Sequence, residues 1–519
     1  PALLTPLHTL NPLLNELLQN MKGQIEKIRQ YIEAEIQESV ETEQNKYLRI
    51  LKKANPHDLE WMNEYGKEVT ESEKETAVFY FSYPKEKICR MAEHITDAFF
   101  HGFISQNRER GERKRVRLFY RIGQEALAVQ VAHCIEEKGL LPVVIDPVLE
   151  RRIEKEQFDT DSVAKEALID LYEQVFYRYQ KETADVCGMI GIGEFGEKEK
   201  KRKGNLQKQI EIARRKVEEQ YVRPSELSFC KVVFPSLEIG KQFQHIFDEI
   251  FEMNLEQSEE FEKIQQILID GLDQCLWVRI IGKKPNQTYL DVQMQRIENR
   301  EQQTNFMNCG GDLNIPYGEV FTTPQLKGTN GLLHIQDIFL QDRKYHNLKL
   351  WFEDGEIVDF SCEEDGRETK GPILESLFYP YETLPVGEFA IGTNTRAFRI
   401  CKKYQLEDQL PILIYEKMGP HLAIGDPCYK GAEEEPVYNL LDGKEITAKY
   451  NEKTRNGKTE KEKYVQKHID ITIPYDEISA LYGYTEYGEK IFILKDGKFI
   501  LPGTDKLNHG MEERQAERL

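Results

Sequence analysis

Three acidic residues and two histidines in the C-terminal part of the chain are of the types that bind a pair of divalent metal ions. They are Glu319, Glu388, His421, His468 and Asp470. Carboxylate and imidazole ligands without a thiolate suit zinc, cobalt or manganese better than copper or an iron–sulfur cluster. Because a pair of such ions is a common device for activating water, these residues predict a dinuclear site for hydrolysis.

The acidic candidates lie in unusual local sequences. Glu319 follows Gly318 in a loop whose conformation is restricted by prolines at positions 316 and 324. Glu388 begins an otherwise apolar strand, where a charge is costly unless it is paired or bound to metal. A single glutamate in a turn is usually a surface acid, so neither position indicates a metal site by itself.

The histidines have ordinary interpretations when they are taken singly. His421 opens an apolar strand, where a lone histidine is more often a hydrogen-bonded core residue than a ligand. His468 and Asp470 are two residues apart on a predicted strand and therefore point to the same side of it. An exposed strand would carry the same pair, so the joint occurrence of all five residues is what favours metal binding.

Length and composition exclude several classes of function. A chain of 519 residues is too long for one ordinary core and predicts two or more domains. Its net charge of −20 disfavours nucleic acid as a partner. No apolar run approaches the roughly 20 residues that span a membrane, and the first residues lack the features of a secretory signal. The nine scattered cysteines contain no Cys-x-x-Cys pair and are typical of reduced thiols, so we predict a cytoplasmic protein.

The N-terminal part of the chain predicts a helical extension followed by an α/β domain. Apolar residues at three- and four-residue spacing predict helices over 13–53 and 86–105, within an extension that covers residues 1–110. Strands over 116–120 and 141–145 flank a helix over 124–137, a β-α-β unit that favours a parallel sheet. Helices over 161–179 and 205–221, and a strand over 231–234 followed by another helix, complete an α/β domain over residues 111–275.

Residues 276–519 predict a β-rich α+β catalytic domain. Short β-like runs separated by Gly, Asn and Asp predict mostly antiparallel sheet, at positions 277–281, 289–294, 331–338, 348–352, 356–361 and 398–401. Asp354-Gly355 and Asp496-Gly497 predict hairpin turns. The lysine-rich stretch over 444–467 is predicted to protrude into solvent.

A glycine-rich segment, Gly191 to Gly196, formally satisfies the Gly-x-Gly-x-x-Gly pattern of dinucleotide-binding turns. Such a turn follows a strand and opens a packed helix. Here the sequence predicts a helix that ends near Cys187 before the segment, and no apolar face after it. We therefore reject a nucleotide cofactor.

Four segments of the chain resemble one known family. Residues 318–324, 388–394, 421–425 and 468–470, in this order and at comparable spacing, resemble the thermophilic metallo-aminopeptidases (aminopeptidase T-like, leucyl aminopeptidase-like). The resemblance extends from about Arg115 to the C-terminus and is strongest in the last part. It implies an α/β domain followed by a β-rich catalytic domain, two divalent ions per chain and a homodimer.

The resemblance also implies roles for individual residues. The five candidates named above correspond to the family's metal ligands, and Glu416 corresponds to its general acid/base. The family carries a tyrosine seven residues after the first ligand histidine, a place held here by Cys428, with Tyr429 one position later. Tyr429 is therefore a less secure catalytic residue.

The predicted reaction is hydrolysis of the N-terminal peptide bond of peptides that have a free N-terminus, with release of single amino acids. A hydroxide that bridges two divalent ions would be the nucleophile, and Glu416 would transfer protons as general acid/base. Two alternatives share the same ligands. One is a metal-dependent amidohydrolase that acts on a small non-peptide amide, and the other is a non-catalytic metal-binding homologue, against which the presence of Glu416 argues.

Overall fold

The computed structural model describes most of the chain as two compact units. It describes residues 45–66, 69–105, 107–145, 147–148, 185–196, 226–256, 259–310, 314–341 and 343–511, with isolated positions between 23 and 33 and at 170 and 174. The first unit comprises residues 1–99, 108–193 and 201–229, and the second comprises 100–107, 194–200 and 230–519. The predicted division at residues 110 and 275 stays a prediction. None of the helices within the described ranges is long and apolar enough to cross a membrane.

A parallel sheet and its helices form the first part of the fold. The helices are α1 (Lys46–Lys53), α2 (Glu71–Ser82), α3 (Lys85–Ser105) and α4 (Glu125–Glu137). The strands are β1 (Arg115–Phe119), β2 (Leu141–Val144), β3 (Val186–Phe195) and β4 (Ser228–Pro235), in the sheet order β2-β1-β3-β4. Both β2 and β3 run parallel to β1, so the predicted β-α-β unit with a parallel sheet is confirmed.

Two of the predicted N-terminal helices are described at least in part. The helix predicted over 86–105 is confirmed by α3. Of the helix predicted over 13–53, the structure describes α1, which begins after Asn45 because the side chain of that residue accepts a hydrogen bond from Leu48 N. Most of the remainder of that prediction, and the predicted helices over 161–179 and 205–221, lie outside the described residues.

The glycine-rich segment lies in a strand, so the prediction that a helix extends to Cys187 is wrong. Residues 186–195 form β3, in which Cys187, Ile190 and Ile192 are buried. A Cβ atom on Gly188 would lie 1.9 Å from the carbonyl oxygen of Ser228, so this glycine permits a close approach of two backbones. The glycines of β3 thus serve strand packing, whereas a dinucleotide-binding turn opens a helix.

A buried carboxylic acid lies where α4 begins. Glu125 has no solvent exposure, and its Oε2 accepts a hydrogen bond of 2.9 Å from Gly123 N. Nearby, the hydroxyls of Tyr65 and Tyr120 are 2.5 Å apart. Burial raises the pKa of Glu125 from its usual 4.5 to about 8, so this side chain holds its proton at neutral pH.

The second unit is mostly antiparallel sheet, as predicted. Its remaining helices are α5 (Phe243–Asn254), α6 (Glu259–Leu272), α7 (Thr395–Tyr404), α8 (Ile412–Tyr415), α9 (Glu452–Asn456) and α10 (Glu460–Lys463). Its strands are β5 (Cys275–Gly282), β6 (Tyr289–Gln293), β7 (Gln303–Thr304), β8 (Met307–Cys309), β9 (Glu319–Thr322), β10 (Gln325–Leu340), β11 (Arg343–Glu353), β12 (Glu356–Glu364), β13 (Arg367–Thr369), β14 (Val386–Gly392), β15 (Pro420–Gly425), β16 (Glu445–Ile446), β17 (His468–Thr472), β18 (Ile478–Thr485), β19 (Lys490–Lys495) and β20 (Lys498–Phe499).

Over the described residues these strands form three sheets. The largest has the order β13-β12-β11-β10-β6-β5-β18-β19-β20, and a five-stranded sheet has the order β17-β15-β14-β9-β8. A short parallel pair joins β16 to β7. The predicted hairpin turns are confirmed, because Asp354-Gly355 and Asp496-Gly497 connect paired strands with positive φ at both turn residues.

One prediction for this unit is wrong and another is confirmed only in part. Residues 398–401 belong to helix α7, since Asn394 caps it by accepting from Ala397 N, and Ala397, Ile400 and Cys401 lie buried at helical spacing. The lysine-rich stretch is exposed at residues 458–462, as predicted, but packs on the fold near α9. There the Glu452 carboxylate accepts hydrogen bonds from the backbone at residues 326 and 327, and Thr454 is buried.

Candidate metal centre

One face of the five-stranded sheet collects all five candidate ligands. Side chains alternate along a strand, and on β14, β15 and β17 the apolar residues point into the core of the second unit. These core residues are Phe389, Ile391, Leu422, Ile424, Ile469 and Ile471. The opposite face carries Glu319 on β9, Glu388 on β14, His421 on β15, and His468 with Asp470 on β17. Residues far apart in the sequence thus meet on neighbouring strands.

Small residues lie directly across the strands from the candidate ligands. Ala423 is the cross-strand partner of both Glu388 and Asp470, and Ala390 is that of His421. Gly425 pairs with His468, and Gly392 pairs with Glu319. Alanine and glycine project little above a sheet, so at these four positions the sheet places no bulky side chain beside the candidate ligands. Phe321, Thr472 and Cys309 are further cross-strand partners on the same face.

The side chains converge on two groups that share Glu388. His421 Nε2 lies 3.0 Å from Glu319 Oε1 and 3.6 Å from Glu388 Oε1. His468 Nε2 lies 3.1 Å from Glu388 Oε2 and 3.3 Å from Asp470 Oδ1. The two oxygens of Glu388 therefore face different histidines, an arrangement suited to a carboxylate that bridges two ions.

Both histidines point the same ring nitrogen into the cluster. His468 Nδ1 lies 2.7 Å from the carbonyl oxygen of Asp426, and His421 Nδ1 lies 3.4 Å from that of Gly419. A carbonyl oxygen only accepts, so we assign the ring proton to Nδ1 in each case. Nε2 then presents a lone pair to the carboxylates, as in histidines that bind metal.

Burial and mutual attraction shift the pKa values of these groups. Burial alone raises the pKa of Glu388, but His421 and His468 outweigh it and lower that pKa below its usual range. Burial acts to lower the pKa of both histidines, yet the acidic groups around them raise it well above the usual value. The cluster therefore favours added positive charge at the Nε2 atoms, either a second ring proton or a metal ion.

Donor types and geometry fit divalent cations. Nε2 of the fully buried His421 has no hydrogen-bond partner, because its short contacts with Glu319 and Glu388 lack hydrogen-bond geometry. A buried ring nitrogen that points between carboxylate oxygens without a hydrogen bond to them has the arrangement expected of a metal ligand. Together with Glu319 and Glu388, His421 forms one potential metal-binding group.

Glu416 lies beside the cluster at the end of α8, in a short 3₁₀ turn that precedes β15. Its Oε1 is 2.7 Å from the ammonium of Lys417, which also pairs with the Glu319 carboxylate. Burial raises the pKa of Glu416 from 4.5 to about 7. A Cβ atom on Gly392 would lie 2.4 Å from the Glu416 carbonyl oxygen, so glycine at 392 lets this turn approach the sheet.

Two residues at the site escaped the sequence prediction as functional groups. Lys417 follows an acid, a pattern typical of exposed charge pairs, yet it is buried between Glu319 and Glu416. The sequence identifies Cys428 only as the residue at the position where the family carries a tyrosine, yet its Sγ atom lies 2.6 Å from Glu388 Oε2. Only the assembled sheet brings these side chains to the cluster.

Tyr429 packs on the same side of the sheet. Its ring lies 5.8 Å from that of Phe321, measured between ring centroids, and its buried hydroxyl has no hydrogen-bond partner. Burial, with Cys428, Cys309 and Glu388 nearby, raises the pKa of Tyr429 well above its usual value. The hydroxyl is therefore a neutral donor near the acids.

Comparison with known proteins places the chain among metalloproteases. The model of the thermophilic metalloprotease family (M29) matches residues 112–499. Wild-type AmpT from Thermus thermophilus has a similar structure, with 14% sequence identity and a TM-score of 0.51 over 80% of this chain and 99% of that chain. At this identity the likeness shows the fold alone, and it agrees with the predicted fold class.

A second solved structure is less similar. The 2,5-dihydroxypyridine dioxygenase from Pseudomonas putida KT2440 has 10% sequence identity and a TM-score of 0.43, over 81% of this chain and 99% of that chain. No curated protein sequence matches the chain.

Proposed function

Because the chain belongs to the thermophilic metalloprotease family M29, we propose that it removes single amino acids from the N-termini of peptides with the aid of two divalent ions. The family match confirms both the predicted resemblance and the predicted enzyme class, a metal-dependent aminopeptidase. The observation that carries the proposal is the shared Glu388, whose two oxygens face two histidines.

The distances in the cluster support one ligand set. Glu319 and His421 would hold one ion, His468 and Asp470 would hold the other, and Glu388 would contribute one oxygen to each. When bound, the two ions supply a polarised carbonyl and a water of lowered pKa, which is the chemistry that amide hydrolysis requires. Zinc, cobalt and manganese all suit these donors.

Glu416 is the proton carrier in this proposal. A general acid/base works best when its pKa lies near the operating pH, and it must stand close to the reacting atoms without being consumed as a ligand. Glu416 meets both conditions, since its pKa is raised to about 7 and its carboxylate contacts Lys417 beside Glu319. It takes a proton from the attacking water and delivers it to the leaving amine.

Lys417 and Tyr429 have supporting roles. The Lys417 ammonium bridges Glu416 and Glu319, which fixes the distance between the proton carrier and a metal ligand. The hydroxyl of Tyr429, buried and without a partner, is available to donate to the oxygen of the scissile carbonyl as negative charge develops there.

Metal analysis of the purified protein tests the proposal. We expect two equivalents of zinc, cobalt or manganese per chain, and loss of both metal and leucyl-peptide hydrolysis in the double variant His468→Ala/Asp470→Ala. A second histidine–aspartate pair, His346 on β11 and Asp337 on β10, is exposed and allows a control.

The variant His346→Ala/Asp337→Ala is therefore the matched control and should keep both metal and activity. A wild-type chain without stoichiometric metal, or a metal-loaded chain inactive on a panel of peptides but active on a small amide, would contradict the proposal. The predicted homodimer and cytoplasmic location are part of the same proposal and follow from the family resemblance.

A further inference from the structure

Resting on the proposed two-metal function, we propose that Cys428 is a thiolate ligand of the ion held by Glu388, His468 and Asp470. The other ion, at Glu319, Glu388 and His421, keeps only oxygen and nitrogen donors. The two metal positions of this chain therefore differ in chemical type.

Distances within the second group support the assignment. Cys428 Sγ lies 2.6 Å from Glu388 Oε2 and 3.9 Å from His468 Nε2. With zinc bonds of about 2.0 to 2.3 Å in tetrahedral geometry, ligand atoms lie about 3.3 to 3.6 Å apart. Cys428, Glu388 and His468 thus form a second potential metal-binding group, and small adjustments bring its atoms to those separations.

The backbone holds Cys428 and His468 in a fixed relation. Two residues before the cysteine, the Asp426 carboxylate accepts hydrogen bonds of 2.6 Å from Val465 N and 2.8 Å from Gln466 N. The Asp426 carbonyl oxygen accepts from His468 Nδ1 at 2.7 Å. Asp426 therefore ties the turn that carries the thiol to the start of β17 and orients the imidazole at the same time.

A thiolate is a softer donor than a carboxylate. The position that includes Cys428 is therefore expected to select zinc over manganese more strongly than its neighbour does.

Cobalt substitution tests the ligand directly. Cobalt bound by a thiolate gives an intense near-ultraviolet charge-transfer band that oxygen and nitrogen donors do not give. We expect this band in the metal-depleted wild-type protein reloaded with cobalt, and its loss in Cys428→Ser while two equivalents of cobalt still bind. Cys309→Ser, which alters a cysteine on β8 that packs near Tyr429 and Phe321, is the matched control and should keep the band.

Thiol labelling gives a second measurement that needs no variant. All nine cysteines lie in the described residues, and Cys428 alone among them is exposed. Iodoacetamide should therefore modify Cys428 first in the metal-free protein, and added zinc should protect it. In Cys428→Ser the zinc Kd of this position should rise by at least about 10-fold, since even partners outside the ligand shell change metal affinity by that factor.

The outcomes separate this inference from the function on which it rests. Two equivalents of cobalt without the charge-transfer band in the wild type, or a band that persists in Cys428→Ser, would overturn the thiolate ligand and leave the two-metal function intact. Failure of the wild-type protein to bind cobalt or zinc would overturn both.

Discussion

Each unit of this protein buries a glutamate almost completely, and the two glutamates behave in opposite ways. Glu125 in the first unit has no solvent exposure and Glu388 in the second has 3%. The pKa of Glu125 is raised to about 8, whereas that of Glu388 is lowered below its usual range. Burial alone therefore does not identify a metal ligand.

The difference comes from the neighbours of each carboxyl group. The phenol of Tyr65 and a backbone amide near Glu125 lower its pKa by less than burial raises it, so the acid keeps its proton. Glu388 lies between His421 and His468, whose positive charge outweighs the same burial penalty. The two imidazole rings beside Glu388 are thus the feature that distinguishes this candidate cation site from the neutral buried acid at Glu125.

The largest expected effect comes from replacing each of the two glutamates by glutamine in turn. Glu388→Gln should lose both metal ions and reduce peptide hydrolysis to background, because in the proposed site this carboxylate would serve both metal positions. Glu125→Gln should keep metal and activity, since its acid is already neutral. Elemental analysis and kcat on a leucyl peptide check both, and equal metal loss in the two variants would break the comparison.

Glu416 tests whether a third buried acid acts in chemistry without binding metal. We expect Glu416→Gln to keep two equivalents of metal and to lower kcat by about 10²- to 10⁴-fold, the usual contribution of a general acid/base. Steady-state kinetics and elemental analysis on the same sample measure both quantities. Full activity in this variant would remove Glu416 from the mechanism.

The smallest effect is a pH dependence of stability in the first unit. Between pH 4.5 and about 8 the folded chain holds the Glu125 proton that the unfolded chain has lost, so the free energy of unfolding falls as pH rises through this window. Above about pH 8 both states are ionised and the contribution stops changing. The total is of the order of a few kcal/mol.

Urea unfolding at several pH values measures this slope. A background of Trp277→Phe and Trp351→Phe leaves Trp61 as the remaining tryptophan, which reports on the first unit. Glu125→Gln should flatten the slope, and Glu137→Gln, an exposed acid on the same helix, should not. An unchanged slope in Glu125→Gln would mean that the buried acid is already ionised near neutral pH.

The sequence alone was sufficient to predict the positions of most of the strands. It also predicted that the five candidate ligands belong to one site. Hairpin turns such as Asp354-Gly355 depend on local backbone preference, and the alternation of His468 and Asp470 depends only on strand geometry, so both are readable from a single chain. The metal-binding role of the five residues stays a prediction. The family resemblance, now confirmed by the M29 match, also named Glu416.

What the sequence did not predict depends on contacts between distant segments. Residues 398–401 have the composition of a strand but join a helix because Asn394 caps it. The predicted helix end near Cys187 is instead part of strand β3, which pairs with β1. Lys417 and Cys428 reach the cluster through a turn and a loop whose conformation only the folded sheet fixes.

The small residues opposite the ligands, Ala390, Gly392, Ala423 and Gly425, have a consequence for how the sequence can change over time. They bury little apolar surface, so by the usual measure of core importance they should tolerate substitution. Yet a Cβ atom on Gly392 would lie 2.4 Å from the Glu416 carbonyl oxygen, and one on Gly425 would lie 2.1 Å from that of Lys467. A larger side chain at Ala390 or Ala423 would project between the candidate ligands. We expect natural variants to keep these four positions small more strictly than the larger apolar residues on the other side of the same sheet.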